Sequence, residues 1–162
     1  LSDPEMAGVV AGAGAALVLM HMRGTPQTMQ RDPRYDDVAA EVAEELEVAL
    51  ERARAAGIRE ERVVVDPGIG FAKTAQHNLE LLARLEVLGR LGRPILLGPS
   101  RKSFLGALLG GAPPEERAVA TAAACVAGLL RGARIFRVHD VGIVRQAVDV
   151  AEAIRRASPA RV

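Results

Sequence analysis

Four short apolar runs recur along the chain, at residues 15–20, 63–65, 95–97 and 135–138. Each run is too short for a helix and is bounded by polar residues, glycine or proline. Continuous apolar runs, as opposed to strict alternation, are typical of parallel strands that are covered on both faces. The pattern therefore predicts four buried parallel strands.

Stretches with helical periodicity separate these runs and are predicted at residues 2–11, 36–56, 78–88, 114–130 and 141–157. The longest one lacks Gly and Pro and repeats apolar residues at three- and four-residue steps, with Gly57 expected as its C-terminal cap. Ser2 and Glu5 suggest a capping box at the first helix, with Pro4 in its first turn. Alternating strands and helices indicate an α/β fold with a parallel sheet. Periodicity does not choose between a doubly wound sheet and half of an eight-stranded barrel.

Composition excludes several classes of protein. The formal net charge of +1 gives no overall field for nucleic acid, so an anionic ligand would need local basic residues. No apolar run reaches the roughly 18 residues that span a bilayer, so no membrane partner is expected. The single cysteine, Cys125, stands among alanines and is expected to be a buried thiol. One cysteine also suits a reducing compartment, which predicts a cytoplasmic location.

Polar or conformationally permissive residues stand at or just after the C-terminal end of every predicted strand, at 20–24, 66–71, 98–103 and 137–140. The carboxyl ends of parallel strands form the edge where ligands bind in both candidate folds. Asp66 can accept two hydrogen bonds from an amidine-like edge, such as that of a 2-aminopyrimidinone ring, or it can serve as a turn carboxylate. Lys102 follows a Gly-Pro-Ser turn near a helix start, where it can meet an anion or remain a surface lysine. Ser103 can donate to a carboxylate at the same helix start.

Arg137 and His139 flank Val138 in the fourth run, and strand alternation predicts both basic side chains on one face with Val138 opposite. A phosphate group would explain them, and an ion pair with Asp140 or Asp66 is the alternative. No histidine or cysteine stands at ligand spacing from His21, so no metal site is predicted. Met20 and Met22 are expected in the core or in a pocket wall.

Five segments resemble the second half of the dihydropteroate synthase family: LMHMRGTP (19–26), YDDV (35–38), DPGIGF (66–71), SRKS (100–103) and RVHDV (137–141). The resemblance covers essentially the whole chain. It implies a TIM-type barrel in which the four strands are the fifth to the eighth, so that residues 1–162 form the C-terminal half of a pterin-binding domain. It also implies condensation of 6-hydroxymethyl-7,8-dihydropterin diphosphate with p-aminobenzoate, and a homodimer that associates through its late helices.

The resemblance assigns a role to each candidate residue. The pterin would contact Met20, Asp66, Phe71, Gly98, Lys102 and Arg137; the diphosphate would contact Arg137 and His139; and p-aminobenzoate would contact Phe71, Lys102 and Ser103. Asp66, Lys102 and Arg137 would be the catalytic residues. From the residues alone, Phe71 can cover an aromatic ligand or simply pack its loop. Mg²⁺ is expected for the whole enzyme, with its ligand outside this chain.

The family's first four strands have no counterpart in the sequence, which predicts little or no synthase activity for this chain alone. A half-barrel also leaves two open sheet edges, which favour self-association. Two alternatives are a methyltetrahydrofolate-binding barrel of a corrinoid methyltransferase and a non-catalytic, self-associating half-barrel. The basic residues at 100–102 and 137–139 favour the synthase, because a methyltransferase needs no diphosphate pocket.

Overall fold

A computed structural model describes residues 3 and 5–157. Its sheet has four parallel strands in the order β1-β2-β3-β4, namely Leu17–Met20, Val63–Asp66, Ile95–Leu97 and Ala133–Phe136. Strands that are adjacent in sequence are also neighbours in the sheet. A doubly wound sheet reverses its strand order at a switch point, and this sheet does not. The order is that of a barrel segment and confirms the α/β half-barrel.

The described residues form six α-helices alongside the strands: α1 (Met6–Ala13), α2 (Val38–Ala55), α3 (Ala75–Ala83), α4 (Ser103–Leu108), α5 (Ala118–Leu130) and α6 (Val141–Ala157). Short 3₁₀ helices occupy Glu60–Arg62, Leu85–Leu91 and Pro114–Glu116. None of the helices in this part of the chain is long and apolar enough to cross a bilayer.

Several predicted helix boundaries need correction. The single helix predicted at 78–88 is an α-helix that begins after Thr74 and a 3₁₀ helix that follows Arg84. The helix predicted at 114–130 is divided at Arg117. The Ser2 cap and Pro4 lie outside the described residues. Gly57 confirms the predicted end of α2, because it has φ of 84° and donates its N–H to the Arg54 carbonyl at 2.9 Å.

The fourth strand lies two residues earlier than predicted, at Ala133–Phe136 instead of 135–138. Arg134 is exposed and interrupts the apolar pattern, which hid the start of the strand. The strand ends early because its partner does: β3 stops at Leu97, and Pro99 has no N–H to extend the ladder. The last bond between them joins the Arg137 N–H to the Leu97 carbonyl at 3.1 Å.

The helices cover one face of the sheet and leave much of the other open. Leu19, Val65 and Leu97 are at most 3% exposed, whereas Val18 on the opposite face is 50% exposed. The apolar runs predicted that both faces of the sheet are covered. Within residues 3 and 5–157, only the face that packs against the helices is covered. Strands that are apolar on both faces but covered on one are what a half-barrel requires.

Candidate active site

A cavity of about 230 Å³ lies at the carboxyl ends of the strands. Its walls are Met20, Asp66, Ile69, Phe71, Gly98, Ser100, Lys102, Arg137, Val138 and His139. Seven of the eight candidate residues therefore share one cavity. The eighth, Ser103, is the exposed first residue of α4 and does not line it. Two larger grooves, about 500 Å³ each, lie elsewhere on the surface and contain no candidate residue.

Asp66 ends β2 with its side chain in the cavity wall. Its Oδ1 accepts the Gly68 N–H at 2.8 Å, so the turn-carboxylate interpretation is correct for one oxygen. The described residues give Oδ2 no hydrogen bond, and since every buried polar side-chain atom among them has a partner, Oδ2 is open to the cavity. Burial raises the pKa of Asp66, opposed by the Gly68 N–H and the nearby charge of Lys102. Asp66 thus serves the turn and the cavity at once.

The two glycines after Asp66 are required by close contacts. Gly68 has φ of 68°, and a Cβ there would stand 1.9 Å from the His21 carbonyl oxygen. Gly70 has φ of 81°, and its Cβ would stand 2.8 Å from Cδ of Lys102. Both the positive φ and the missing side chain are therefore needed to bring this loop against its neighbours.

Lys102 precedes α4 and lies over the ring of Phe71, with its Nζ 3.8 Å from the ring centroid. The contact combines charge with the negative face of the ring. Burial lowers the pKa of Lys102, and the charge of Asp66 acts against this shift. Lys102 and Phe71 therefore form one wall, apolar below and cationic above, suited to a flat ring that carries polar groups.

Arg137 and His139 bring positive charge and a hydrogen-bond donor from the chain after β4. The guanidinium of Arg137 makes no hydrogen bond or ion pair with residues 3 and 5–157, and Asp140 is bound instead by Arg101 at 2.6 and 3.0 Å. The ion-pair alternative is therefore wrong for Arg137 within these residues. Val138 borders the cavity as well, but it packs against the apolar cluster of Ala122, Cys125 and Val144 on the side of α5 and α6, which agrees with the predicted alternation.

Ser100 fixes the ring of His139. The Ser100 hydroxyl accepts the His139 backbone N–H at 3.1 Å, and its oxygen lies 2.9 Å from Nδ1 of the ring. In the tautomer in which this hydroxyl donates to Nδ1, the ring proton is on Nε2, where it can donate to an anion. Sequence reasoning included Ser100 in a motif but assigned it no role.

The backbone between Ser100 and Lys102 is held in an unusual conformation. Arg101 has φ of 59°, a left-handed value that costs a non-glycine residue on the order of 1 kcal/mol. Its N–H donates to the buried hydroxyl of Thr121 at 3.1 Å, and its side chain is anchored on Asp140. The conformation turns Arg101 away from the cavity while both of its neighbours line it.

A buried polar network behind the cavity was not predicted. Lys73 and His21 are 3% and 4% exposed, and Lys73 Nζ lies 3.0 Å from Nδ1 of His21. The other ring nitrogen, Nε2, lies 3.1 Å from the Glu45 carboxylate. Burial lowers the pKa of His21 to about 4 and that of Lys73 to about 7. The one available signal was that Lys73 is one of only two lysines and stands beside the DPGIGF segment.

The donor set does not fit a divalent cation. Residues 3 and 5–157 contain no group of three or more His, Cys, Asp or Glu side chains placed to hold a metal ion. Within the cavity, Asp66 is the single carboxylate, and the cationic side chains of Lys102 and Arg137 share its walls. Oxygen-rich sites that bind Mg²⁺ have the opposite electrostatics.

The chain is thus a parallel half-barrel with an aspartate, a lysine and an arginine in the cavity at its carboxyl edge. Residues 1–139 match the family described as pterin binding enzyme, and the chain belongs to that family. It is 46% identical over 154 residues to the dihydropteroate synthase of Synechocystis sp., covering 95% of this chain and 53% of that protein.

Two solved structures show the same fold. The Thermus thermophilus dihydropteroate synthase in complex with 6HMPPP superposes with a TM-score of 0.90 and 44% identity, covering 96% of this chain and 61% of that one. The Xanthomonas albilineans dihydropteroate synthase with 4-aminobenzoic acid gives a TM-score of 0.88 and 41% identity, covering 97% and 55%. This chain therefore spans between 53% and 61% of the length of these three relatives.

Proposed function

We propose that this chain supplies the pterin and diphosphate half-site of a dihydropteroate synthase. The observation that carries the proposal is the cavity in which Asp66, Lys102, Arg137 and His139, from three different strand ends, converge. An anionic carboxylate, and a guanidinium that pairs with no residue in the described part of the chain, match in one small cavity a ligand with an amidine-like ring at one end and a diphosphate at the other. The relatives' complexes with 6HMPPP and 4-aminobenzoic acid support both substrate assignments.

The proposed reaction joins a methylene carbon to an amine. The bond from the pterin methylene carbon to the diphosphate oxygen breaks, and its electron pair leaves with pyrophosphate. Arg137 and the Nε2–H of His139 stabilise the charge that develops on this leaving group. The Asp66 carboxylate stabilises the cationic pterin that remains, because it faces the ring as an anion. The nitrogen lone pair of p-aminobenzoate then forms the new C–N bond, and one amine proton is released.

The roles of the remaining residues follow from their positions. Met20, Phe71 and Gly98 form the cavity walls around the ring, and Lys102 lies over Phe71, where it can contact the pterin and border the aminobenzoate. Ser103 is proposed to meet the aminobenzoate carboxylate from the exposed start of α4, outside the cavity itself. A Mg²⁺ ligand, a cytoplasmic location and a homodimer remain proposals for the whole protein, with the magnesium ligand placed outside these 162 residues.

The test is a synthase assay on the protein as its gene encodes it. With dihydropterin diphosphate and p-aminobenzoate, we expect saturable formation of 7,8-dihydropteroate and release of pyrophosphate. Arg137→Gln should lower the turnover at least about 100-fold, because it removes the charge that meets the leaving group. An isolated chain of residues 1–162 should show little or no turnover.

Two results would count against the proposal. One is absence of product from the full protein at saturating substrates. The other is a pterin affinity that pyrophosphate does not increase, since a methyltransferase-type site lacks a diphosphate pocket. Arg54→Gln is a suitable control because Arg54 lies in the last turn of α2, does not line the cavity, and is paired with Glu60 on the surface. Its turnover should equal that of the wild type.

A further inference from the structure

Lys73 lies buried behind the loop of residues 66–72, which we call the Asp66 loop. Its ammonium has three contacts: the Phe71 carbonyl at 3.1 Å, the Gly68 carbonyl at 3.3 Å and Nδ1 of His21 at 3.0 Å. Three N–H donors thus meet three acceptors. Lys73 does not line the cavity, so its effect on a ligand would be transmitted through the loop.

Stability alone does not explain a lysine at this position. The side chain is 3% exposed, and burial of the ammonium lowers its pKa to about 7 despite the favourable charge of Asp66. The other charges that act on it are Arg23, which lowers the pKa, and Glu45, which raises it. An apolar side chain of similar length avoids this desolvation, and replacing buried ionic groups by such residues is often neutral or stabilising. The contacts that Lys73 makes are therefore the feature to explain.

Both carbonyls that Lys73 holds belong to the turn that shapes the cavity wall. The N–H of Gly68 donates to Asp66 Oδ1 at 2.8 Å, and the N–H of Phe71 donates to the Gly68 carbonyl at 3.0 Å. Lys73 therefore fixes the two ends of the turn between the Asp66 carboxylate and the Phe71 ring. From the outer side, Gln30 holds the Gly70 carbonyl at 2.9 Å and Tyr35 holds the Ala72 carbonyl at 3.0 Å.

We propose that Lys73 is a positioning residue that sets pterin affinity by holding the Asp66 loop from within. The inference rests on the proposed function, because the ligand is the pterin ring assigned there. Loss of the ammonium releases two loop carbonyls together. Asp66 Oδ2 and the Phe71 ring then lose their fixed separation, and a planar ligand that must contact both binds less tightly. Arg137 and His139 follow a different strand and keep their geometry.

The test compares wild type with Lys73→Met in the full protein, using two probes that report on different parts of the cavity. Calorimetric titration with 6-hydroxymethyl-7,8-dihydropterin should show an affinity about tenfold lower in the variant, or lower still. Titration with pyrophosphate should give affinities within about twofold of each other, since that site is independent of the loop. Gln30→Ala removes a single exposed loop contact and should change pterin affinity by less than about threefold.

The outcomes separate this inference from the proposed function. If wild type binds pterin and forms dihydropteroate while Lys73→Met keeps wild-type pterin affinity, the positioning role is wrong and the function stands. Equal loss of pterin and pyrophosphate affinity would also overturn it, because that result indicates general disruption of the fold. If wild type itself neither binds pterin nor forms product, the proposed function fails first.

Discussion

His21 is buried as a neutral ring between a carboxylate and an ammonium. Its Nδ1 accepts from Lys73, so its proton resides on Nε2 and points at Glu45. A protonated ring would place two cations 3.0 Å apart in a buried site, which is why burial and Lys73 together lower the pKa of His21 to about 4. The charge state of this single residue therefore affects folding.

This arrangement predicts a pH dependence of stability. The pKa of His21 is about 6.5 in the unfolded chain and about 4 in the folded one. Between these two pH values, the unfolded state binds a proton that the folded state does not. Stability contributed by His21 is therefore lost as pH falls through this window. His21→Asn cannot titrate, and the slope of its Tm between pH 7 and 4, measured by calorimetry, should be smaller than that of wild type. Parallel curves for the two proteins would contradict the prediction.

Residue types at strand ends could be predicted from sequence, but burial of individual polar side chains could not. Lys102 could be predicted as a candidate because it follows a strand, and its side chain lines the cavity. Lys73 was missed because a lysine in a polar loop has no local mark of burial. Its environment is created by His21, 52 positions earlier in the chain, and appears only when β1 and β2 pair. The hydroxyl of Ser100 acquires its role in the same way, from His139 in the chain after β4.

At the scale of the elements, the side chain of Asp37 makes both the N-terminal cap of α2 and a tertiary contact. Asp37 caps the helix, its Oδ1 accepting the N–H groups of Ala39 and Ala40 at 3.1 and 3.0 Å. The same carboxylate forms a two-bond pair with the Arg84 guanidinium at 2.9 Å. Hydrogen bonds from Arg84 and the Ala40 N–H lower the pKa of Asp37. The start of α2 is therefore tied to the end of α3.

Substitutions at Asp37 should separate the two contributions. Asn keeps an acceptor for the cap and loses the charge, whereas Ala loses both, so the expected order of Tm at pH 7 is wild type, Asp37→Asn, Asp37→Ala. Because folding lowers the pKa of Asp37, the stability that its carboxylate contributes is complete above the unfolded pKa of about 4. This stability is lost as the pH falls through the folded pKa. Thermal unfolding at pH 7 and pH 3 should show wild type and Asp37→Asn converging at the lower pH. A constant gap between them would exclude the ion pair as the cause.

The strands show that the apolar pattern of a sequence does not always locate the ends of an element. β3 lies where its apolar run predicted, because nothing polar interrupts Ile95–Leu97. In β4 the exposed Arg134 broke the run, and the end of the strand was decided by Pro99 on its neighbour. Strand limits are set by the partner strand as well as by the strand's own sequence, so the sequence predicted the number and order of strands better than their ends.

On the scale of the whole molecule, residues 3 and 5–157 form a sheet with an open face and two edge strands, β1 and β4, which pair with no further strand among these residues. Val18 on the open face of β1 is 50% exposed, and Ile135 on β4 is 39% exposed. Apolar surface next to free backbone donors and acceptors is a template for pairing with another chain. The helices on the other side leave the carboxyl edge of the strands uncovered, and the cavity lies at this edge. An isolated half-barrel is consequently expected to combine residual ligand binding with a tendency to associate.

That expectation can be tested on an isolated chain of residues 1–162. Light scattering should give a mass above the 17.1 kDa monomer that increases with concentration. Val18→Lys places a charge on the open face beside the β1 edge, a feature that blocks edge pairing, and should shift the population toward monomer. The control is Val48→Lys on α2, which is similarly exposed at 47% but lies on a helix with its own backbone bonds satisfied. A strictly monomeric wild-type chain, or an equal effect of both substitutions, would show that the open sheet does not drive association.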